Sequence, residues 1–274
     1  MPDKNLSHLP LGRTVGFSPH YDPSQLCAVP RSLGRDNLGL DAKAPLPFSG
    51  KDIWNCWEVS WLDPKGKPQI GVLELHVPAD SPFIVESKSL KLYLNSFNMT
   101  QLDSEALFRE TVKRDISGVV GADIHLFLWM PEDFPRLMPE TPGGLCIDTL
   151  DLDVRAEAMP RIISGEKRVS ETFFSRLLRT NCPVTGQPDW ATLSVTYTGK
   201  AISPQSLLGY IISLREHTGF HESCVETLFC TILKACQPED LRVYARFTRR
   251  GGIDINPFRS IRACEPSHAR DFRQ

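Results

Sequence analysis

The segment LRVYARFT, residues 241–248, alternates strictly between apolar and polar side chains. This alternation is typical of a β-strand that buries one face, here the face of Leu241, Val243, Ala245 and Phe247. Upstream of it, apolar residues recur at helical spacing over 207–214 and again over 225–233. Strand patterns at 172–180 and 191–198 precede those helices, and a short strand at 253–256 follows. The C-terminal half is therefore predicted to have the order ββααββ.

The N-terminal half repeats this order in pattern, although not in residues. Strands are predicted at 54–62 and 69–77, and the turn-forming segment DPKGKP separates them. One helix is marked by Leu90, Tyr93, Leu94 and Phe97. A second helix is predicted over 104–117, with Asp103 as its N-cap. Strands at 123–130 and in LCIDTLDLDV, 145–154, complete the pattern.

The two patterns together predict an α+β fold, in which antiparallel sheets carry a helix pair on one face. We expect an irregular N-terminal arm over 1–47, one module over 48–165 and a second module over 166–274. The two modules would then be a tandem duplication.

Composition excludes several classes of protein. The chain has 274 residues, 41% hydrophobic and 23% charged, which is ordinary for a folded globular protein. Its net charge of −2 gives no basic field for nucleic acid, and no apolar run is long enough for a membrane span. The N-terminus does not read as a secretory signal, and none of the eight cysteines forms a CxxC pair. We therefore expect reduced thiols and a cytoplasmic location.

The segment NCPVTGQPDW, 181–190, places Cys182 in a stiff loop that ends at Asp189. A cysteine attacks as the thiolate, so it needs a neighbouring group to manage its proton. Asp189 could accept the thiol proton and later donate it to a bound substrate. The alternative is a buried cysteine packed as a small hydrophobe beside a turn-forming aspartate.

The segment HTGFHESC, 217–224, places His221 and Glu222 at the predicted start of a helix. A carboxylate is favourable at a helix N-terminus, which by itself accounts for Glu222. His217, His221 and Cys224 are residue types that bind zinc, but the HExxH motif is absent and a clear fourth ligand is missing.

Two segments suit phosphate groups. In ESKSLKLYLNSFN, 86–98, one helix face carries Lys88, Lys91 and Asn95, and Ser87 and Ser89 lie near the helix start. The alternative for this face is a solvated basic surface. In TRRGGIDINPFRS, 248–260, guanidinium groups adjoin glycines that allow close backbone approach; these residues are Arg249, Arg250, Gly251 and Gly252. The alternative is a hairpin turn with exposed arginines. No Rossmann or Walker motif occurs.

In this order the segments resemble one family, the NADPH-dependent 7-cyano-7-deazaguanine reductases of queuosine biosynthesis, in their longer two-module form. The resemblance is carried by five segments: VPRSLGRDNLGL (29–40), ESKSLKLYLNSFN (86–98), NCPVTGQPDW (181–190), FHESCVE (220–226) and YARFTRRGGIDINPFRS (244–260).

The resemblance implies a tunnelling fold, whose ββααββ modules assemble sheets into a barrel. It implies that two NADPH reduce a nitrile to a primary amine through a covalent thioimidate on Cys182. Asp189 and His221 would then assist as acids, and no metal would be needed. The substrate ring would be bound by Glu86, Ser87, His221 and Glu222. The cofactor would be bound by Ser87, Lys88, Ser89, Lys91, Arg249, Arg250, Gly251 and Gly252.

Two other functions stay open at this point. One is a zinc-dependent cyclohydrolase or a pterin-type enzyme of the same fold, which would require bound metal. The other is a purine-binding module without catalysis, which would not consume NADPH. Closing a barrel from two modules per chain makes a homodimer the expected assembly, because edge strands need partners. Cys224 follows His221 by three residues, so an oxidative disulfide with Cys182 is a further hypothesis; a packed helix cysteine is the alternative.

Overall fold

A computed structural model describes residues 16, 18–40, 44–153, 160–267 and 270–274. Much of the predicted N-terminal arm, and Val154 at the end of a predicted strand, lie outside these residues. The described residues form two compact units. The first comprises those up to Leu33 together with 52–138 and 249–255; the second comprises 34–51, 139–248 and 256–274. Each unit is built from separate stretches, whereas the predicted modules are continuous, and the module boundaries stay a prediction.

The described elements from residue 28 to residue 129 are both β-strands and α-helices. In chain order they are β1 (Ala28–Pro30), α1 (Ser32–Arg35), β2 (Ser49–Leu62), β3 (Pro68–Pro78), β4 (Phe83–Val85), α2 (Ser87–Asn95), α3 (Glu105–Val120) and β5 (His125–Trp129). In the first unit the sheet order is β5-β3-β2, and β3 pairs antiparallel with β5. Strands β1 and β4 form a separate antiparallel pair.

The core of the first unit is aromatic and branched aliphatic. Helix α2 buries Leu90, Tyr93 and Leu94, the face that the sequence periodicity predicts. Helix α3 buries Phe108, whose ring stacks on Trp61 of β2 at 4.6 Å between centroids. The two helices are therefore attached to the sheet by the stripes of apolar residues that identify them in the sequence.

The predicted N-cap of α3 is wrong. Ser104, not Asp103, takes the capping position, because its hydroxyl oxygen accepts a hydrogen bond from the backbone N–H of Leu107 at 3.1 Å. Both residue types are good caps, so composition alone did not decide between neighbours.

The second unit contains most of the remaining elements. They are β6 (Leu145–Cys146), β7 (Ser164–Asn181), β8 (Pro188–Ile202), α4 (Pro204–Ser213), α5 (His221–Cys236), β9 (Asp240–Phe247) and β10 (Ile253–Ser260). Residues 253–255 of β10 belong to the first unit. The sheet order is β10-β9-β8-β7-β6, with antiparallel pairs except for β6 and β7, which are parallel. The predicted class, mixed α+β with mainly antiparallel sheets, is confirmed.

The strand predicted in 145–154 is largely wrong. Among the described residues 145–153, only Leu145 and Cys146 pair in a strand, because a turn follows in which the N–H of Leu150 donates to the carbonyl of Ile147. Asp148 is then used outside any strand, since its carboxylate accepts the backbone N–H of Arg176 at 2.9 Å.

A buried ion triad fixes helix α5 within the second unit. The Glu226 carboxylate accepts hydrogen bonds from Arg35, at 2.7 and 2.9 Å, and from Arg259, at 2.7 and 3.1 Å. Burial raises the pKa of Glu226, but the charges of Arg259 and Arg35 outweigh burial and hold that pKa below its ordinary value. A carboxylate this deep is stable as an ion only because both guanidinium groups are in place.

None of the helices in the described part of the chain is long and apolar enough to cross a membrane.

Candidate functional site

The loop between β7 and β8 holds Cys182 in a fixed position. The backbone N–H of Cys182 donates to the carbonyl of Gln187 at 2.8 Å, and the N–H of Gly186 donates to the carbonyl of Cys182 at 3.0 Å. Gly186 has a φ of +66°, a left-handed conformation that glycine adopts without steric cost. The Cys182 side chain ends up buried, with 5% of the residue exposed.

Asp189 and Cys182 project from the same face of this hairpin. Asp189 pairs directly with Thr180 in the β7–β8 register, and Cys182 lies two residues beyond Thr180. Cys182 follows the last residue of β7, but its N–H bond to the carbonyl of Gln187 continues the β7–β8 register by one pair. The alternation of side chains therefore places residues 180 and 182 on one face, with Asp189 diagonal to Cys182. Asp189 is also buried, with 4% exposed. The thiol and the carboxylate predicted to act together are thus brought to one face.

His221 completes this group from the first residue of α5. Its Nε2 lies 3.3 Å from Oδ2 of Asp189. Its ring stacks flat on Phe247 of β9, with centroids 3.7 Å apart and planes 3° from parallel. Its other ring nitrogen, Nδ1, is buried and has no hydrogen-bond partner among the described residues. The imidazole is therefore held rigidly against the carboxylate, as an acid or base needs to be.

Glu222 and Cys224 follow in the first turn of α5, and both are buried. Glu222 occupies the helix end where a negative charge is favourable. Burial, together with the negative charge of Asp189, raises the pKa of the Cys224 thiol to about 12. Cys224 is consequently a neutral thiol at neutral pH. Cys182 and Cys224 both carry free thiols in this structure.

The zinc alternative draws on His217, His221 and Cys224. Burial lowers the pKa of His217, so its ring is neutral at neutral pH. No three His, Cys, Asp or Glu side chains in the described part of the chain are grouped so that they could hold a metal ion.

In the first unit, Glu86 caps the helix that carries the ESKS motif. Its carboxylate accepts the backbone N–H groups of Lys88, at 2.8 Å, and Ser89, at 2.7 Å. Glu86 is almost fully buried, and burial raises its pKa above the ordinary value, although the same two hydrogen bonds oppose that shift. This carboxylate is thus already part of the protein's own hydrogen bonding.

The serines of the motif differ in placement. Ser87 is partly exposed, as are Lys88 and Lys91 along the same helix. Ser89 is fully buried, where its hydroxyl donates to the carbonyl of Glu86 at 2.6 Å and accepts the N–H of Cys27 at 3.1 Å. Ser89 therefore acts within the protein as a link between α2 and the segment before β1.

The arginine–glycine segment forms a tight turn in the first unit. Arg250 and Ile253 bridge each other, with N···O distances of 2.8 and 3.3 Å, across Gly251 and Gly252. These glycines have φ values of +61° and +82°, as the two central residues of a type I′ turn require. A Cβ on Gly251 would lie 2.7 Å from Nζ of Lys91, so the lysine ammonium lies against this turn.

These residues fit the phosphates of a dinucleotide. Lys91, Arg249 and Arg250 supply positive charge around a turn whose glycines leave the backbone open. The exposed Glu58 lies against Gly252 and adds one negative charge. The three positive side chains therefore outnumber this single carboxylate at the surface.

Three further residues were not singled out from the sequence. Phe247 supports His221, Thr180 faces Asp189, and Trp57 lies under Arg249 with 3.8 Å between the guanidinium carbon and the ring centroid. Strand alternation could have placed Thr180 on the face of Cys182. The other two contacts join segments far apart in the chain, for which the sequence carries no local signal.

A buried thiol and a buried carboxylate on one face of a hairpin, with an imidazole at the carboxylate, are typical of enzymes that use a cysteine near an acid–base pair. Comparison with known proteins makes this specific. A family described as nitrile reductase, 7-cyano-7-deazaguanine-reductase N-term, matches residues 17–128, and a family described as QueF-like protein matches residues 188–266.

Individual relatives agree over nearly the whole chain. A protein named NADPH-dependent 7-cyano-7-deazaguanine reductase from Desulfotalea psychrophila is 51% identical, with 93% of both chains covered. Proteins of the same name from Burkholderia vietnamiensis and Bordetella avium are 50% and 48% identical, each over 98% of this chain and 100% and 99% of theirs. The chain therefore belongs to the NADPH-dependent 7-cyano-7-deazaguanine reductase family. The predicted family and enzyme class, an oxidoreductase that depends on NADPH, are confirmed.

One solved structure, an archaeosine synthase QueF-Like in the apo form, matches with a TM-score of 0.30 and 17% identity. The match covers 36% of this chain and 95% of that one.

Proposed function

We propose that this chain reduces the nitrile of 7-cyano-7-deazaguanine to an aminomethyl group with two NADPH, as a step of tRNA queuosine biosynthesis. The names of the relatives support the reaction. The observation that carries the proposal is the placement of Cys182 and Asp189 on one face, with His221 Nε2 at 3.3 Å from the carboxylate.

The first step is addition of the Cys182 sulfur to the nitrile carbon. A carbon–sulfur bond forms, one π-bond of the nitrile is broken, and the nitrogen takes a proton, which gives a covalent thioimidate. Asp189 accepts the proton of the thiol and passes it to that nitrogen. Burial of both groups keeps water away from the thioimidate, which would otherwise be hydrolysed.

NADPH, when bound, supplies one hydride, and two NADPH are used for each nitrile. The protein's own part is to release Cys182 when the carbon–sulfur bond breaks, and to protonate the nitrogen of the resulting imine. We assign that proton to His221, because its ring is held next to Asp189 and an imidazole nitrogen can transfer a proton.

Recognition of the substrate ring is assigned to carboxylates. Glu222 and Glu86 accept hydrogen bonds from the N–H edge of a guanine-like ring, with Ser87 and His221 as further polar contacts. A carboxylate has about four acceptor positions, so Glu86 can cap α2 and still accept from a ligand. The cofactor phosphates are assigned to Ser87, Lys88, Ser89, Lys91, Arg249, Arg250, Gly251 and Gly252. For Ser89 to bind a phosphate, its hydroxyl would first have to break the hydrogen bond that it donates to the carbonyl of Glu86.

The proposed architecture is a tunnelling fold that closes a barrel in a homodimer, in the cytoplasm. Strand β5 ends the sheet of the first unit and β6 ends that of the second, so edges are available for pairing. Light scattering on the purified protein tests the assembly, and a monomer at micromolar concentration would contradict it.

The deciding experiment is an intact mass after mixing the protein with 7-cyano-7-deazaguanine in the absence of NADPH. We expect a mass increase equal to one nitrile substrate, no increase in Cys182→Ala, and discharge of the adduct when NADPH is added. Cys146→Ala, which removes a half-buried cysteine of the same unit, is the matched control and should form the adduct normally. An adduct on Cys182→Ala, or turnover without Cys182, would refute the thioimidate. Neither adduct nor NADPH oxidation in the wild type would favour the binding-only or metal-dependent alternatives, which metal analysis then separates.

A further inference from the structure

Arg249 lies flat on the ring of Trp57. The guanidinium carbon is 3.8 Å from the ring centroid, compared with 5.0 Å for Arg176 over Phe174 in the second unit. At this distance the planar cation is in van der Waals contact with the indole face. Trp57 is half-buried in β2, whereas Arg249 is exposed, so the stack forms the surface of the first unit.

The ring of Trp57 is itself held by a buried carboxylate. Its indole N–H donates to Oδ2 of Asp254 at 2.6 Å, and the side-chain amide of Asn55 donates to Oδ1 at 2.7 Å. Asp254 and Asn55 are both buried. The backbone N–H of Trp57 also donates to the carbonyl of Gly252 at 2.8 Å, which ties β2 to the arginine–glycine turn. The indole plane is therefore fixed from both its backbone and its ring edge.

A fixed indole plane also fixes the plane of the guanidinium. Stacking on the ring holds the guanidinium of Arg249 in one plane, and a planar guanidinium binds a phosphate with two parallel hydrogen bonds along its edge. Lys91 supplies a second positive charge at the same turn, against Gly251. An arginine that is already held in place loses less conformational freedom when it binds than one that moves freely.

We propose that Trp57, fixed by Asp254, is a positioning residue that holds Arg249 as a preformed phosphate fork for the nicotinamide dinucleotide. This inference rests on the proposed function for the cofactor, and it adds Trp57 and Asp254 to the residues assigned to that site. The phosphate is either the pyrophosphate, present in NADPH and NADH alike, or the additional phosphate of NADPH.

The test is a double-mutant cycle on cofactor binding, measured by calorimetric titration of the full chain with NADPH and, separately, NADH, without substrate. We expect Trp57→Leu to weaken NADPH binding about tenfold and Trp57→Phe, which keeps an aromatic face but loses the N–H, about threefold. In Trp57→Leu/Arg249→Ala we expect no loss beyond that of Arg249→Ala alone, because the tryptophan acts through the arginine. Arg109→Ala, which removes an exposed arginine of the same unit, is the charge-matched control and should stay within twofold of wild type.

Each result is informative. Weaker binding of NADPH alone assigns the fork to the additional phosphate, and weaker binding of both nucleotides assigns it to the pyrophosphate. Additive losses in the double variant, or unchanged affinity in Trp57→Leu, would overturn the proposal. If Trp57→Leu does not fold by circular dichroism, Trp57→Phe and its double variant with Arg249→Ala decide the question. A wild-type chain that binds neither nucleotide would instead count against the proposed function itself.

Discussion

Replacing Glu226 by glutamine tests the buried ion triad of the second unit. The Oε1 atom of Glu226 accepts three hydrogen bonds, one from Arg35 and two from Arg259, and Oε2 accepts the Nε–H of Arg35 at 2.9 Å. In Glu226→Gln the amide oxygen can replace only one carboxylate oxygen. If it replaces Oε1, the NH2 group faces the Nε–H of Arg35, donor against donor. The two buried guanidinium groups then lose the negative charge of Glu226.

Removing one partner from a buried ion pair typically destabilises a protein by about 3–5 kcal/mol. We take the lower end, about 3 kcal/mol, because the amide keeps the shape and one acceptor. For a chain of 274 residues that unfolds as one, this corresponds to a fall in Tm of roughly 5 °C. Urea denaturation at pH 7 measures the free energy directly. Lys51→Ala is the control: it removes a pair with the exposed Glu265 and should cost less than about 1 kcal/mol.

The loss of stability in Glu226→Gln should depend on pH. The folded-state pKa of Glu226 lies below the ordinary value of 4.5, so its contribution is present above pH 4.5 and is lost as the pH falls through the folded-state pKa. The difference between wild type and Glu226→Gln should therefore shrink on acidification. A loss below about 1 kcal/mol at pH 7, or a difference that does not shrink at low pH, would refute the reasoning.

Four other predictions concern the site residues. Because the pKa of Cys224 is raised to about 12, iodoacetamide at pH 7.5 should leave Cys224 unmodified in the native protein; rapid labelling there would contradict a buried neutral thiol. Mass spectrometry after peroxide treatment tests the hypothesis of a Cys182–Cys224 disulfide; because Cys224 is a buried neutral thiol we expect no linked peptide, and finding one would support the protective disulfide instead. Burial raises the pKa of Glu86. The free energy of unfolding of wild type, relative to that of Glu86→Gln, should therefore be greatest below pH 4.5 and decline as the pH rises through the folded-state pKa. If this difference in free energy stays constant between pH 4 and 8, the pKa of Glu86 is not raised. Gly251→Ala should lose about 1–2 kcal/mol in urea denaturation, since alanine is strained at a φ of +61° and its Cβ would displace Lys91; an unchanged free energy of unfolding would mean that the turn relaxes.

The sequence predicted those elements whose apolar residues are regularly spaced. Leu90, Tyr93 and Leu94 mark α2 because one face of that helix meets the core. Leu241, Val243 and Ala245 mark β9 by their alternation in the sequence, although Tyr244 and Arg246 on its other face are buried as well. The strand at 145–154 failed because Ile147 and Leu150 close a turn, and alternating apolar residues in a turn resemble a strand in sequence.

The site was predictable where its residues are neighbours in the chain. Cys182 and Asp189 are joined by one hairpin, and its turn residues are visible in the sequence. The stack of Arg249 on Trp57 and the bond between Arg35 and Glu226 join residues far apart in sequence, and the latter pair is separated by 191 positions. Such contacts depend on how distant strands and helices pack together, and no local spacing in the sequence encodes that packing.

The discontinuous composition of the two units has a consequence for dissecting this protein. A fragment that stops at residue 138 lacks 249–255, and with it Asp254, whose carboxylate binds the indole N–H of Trp57. The complementary fragment lacks 34–51 and so has no Arg35 to neutralise Glu226. Either fragment expressed alone would therefore lack a hydrogen-bond partner that the other fragment supplies: Asp254 for the indole N–H of Trp57, and Arg35 for the carboxylate of Glu226. The two fragments should be co-expressed rather than purified separately.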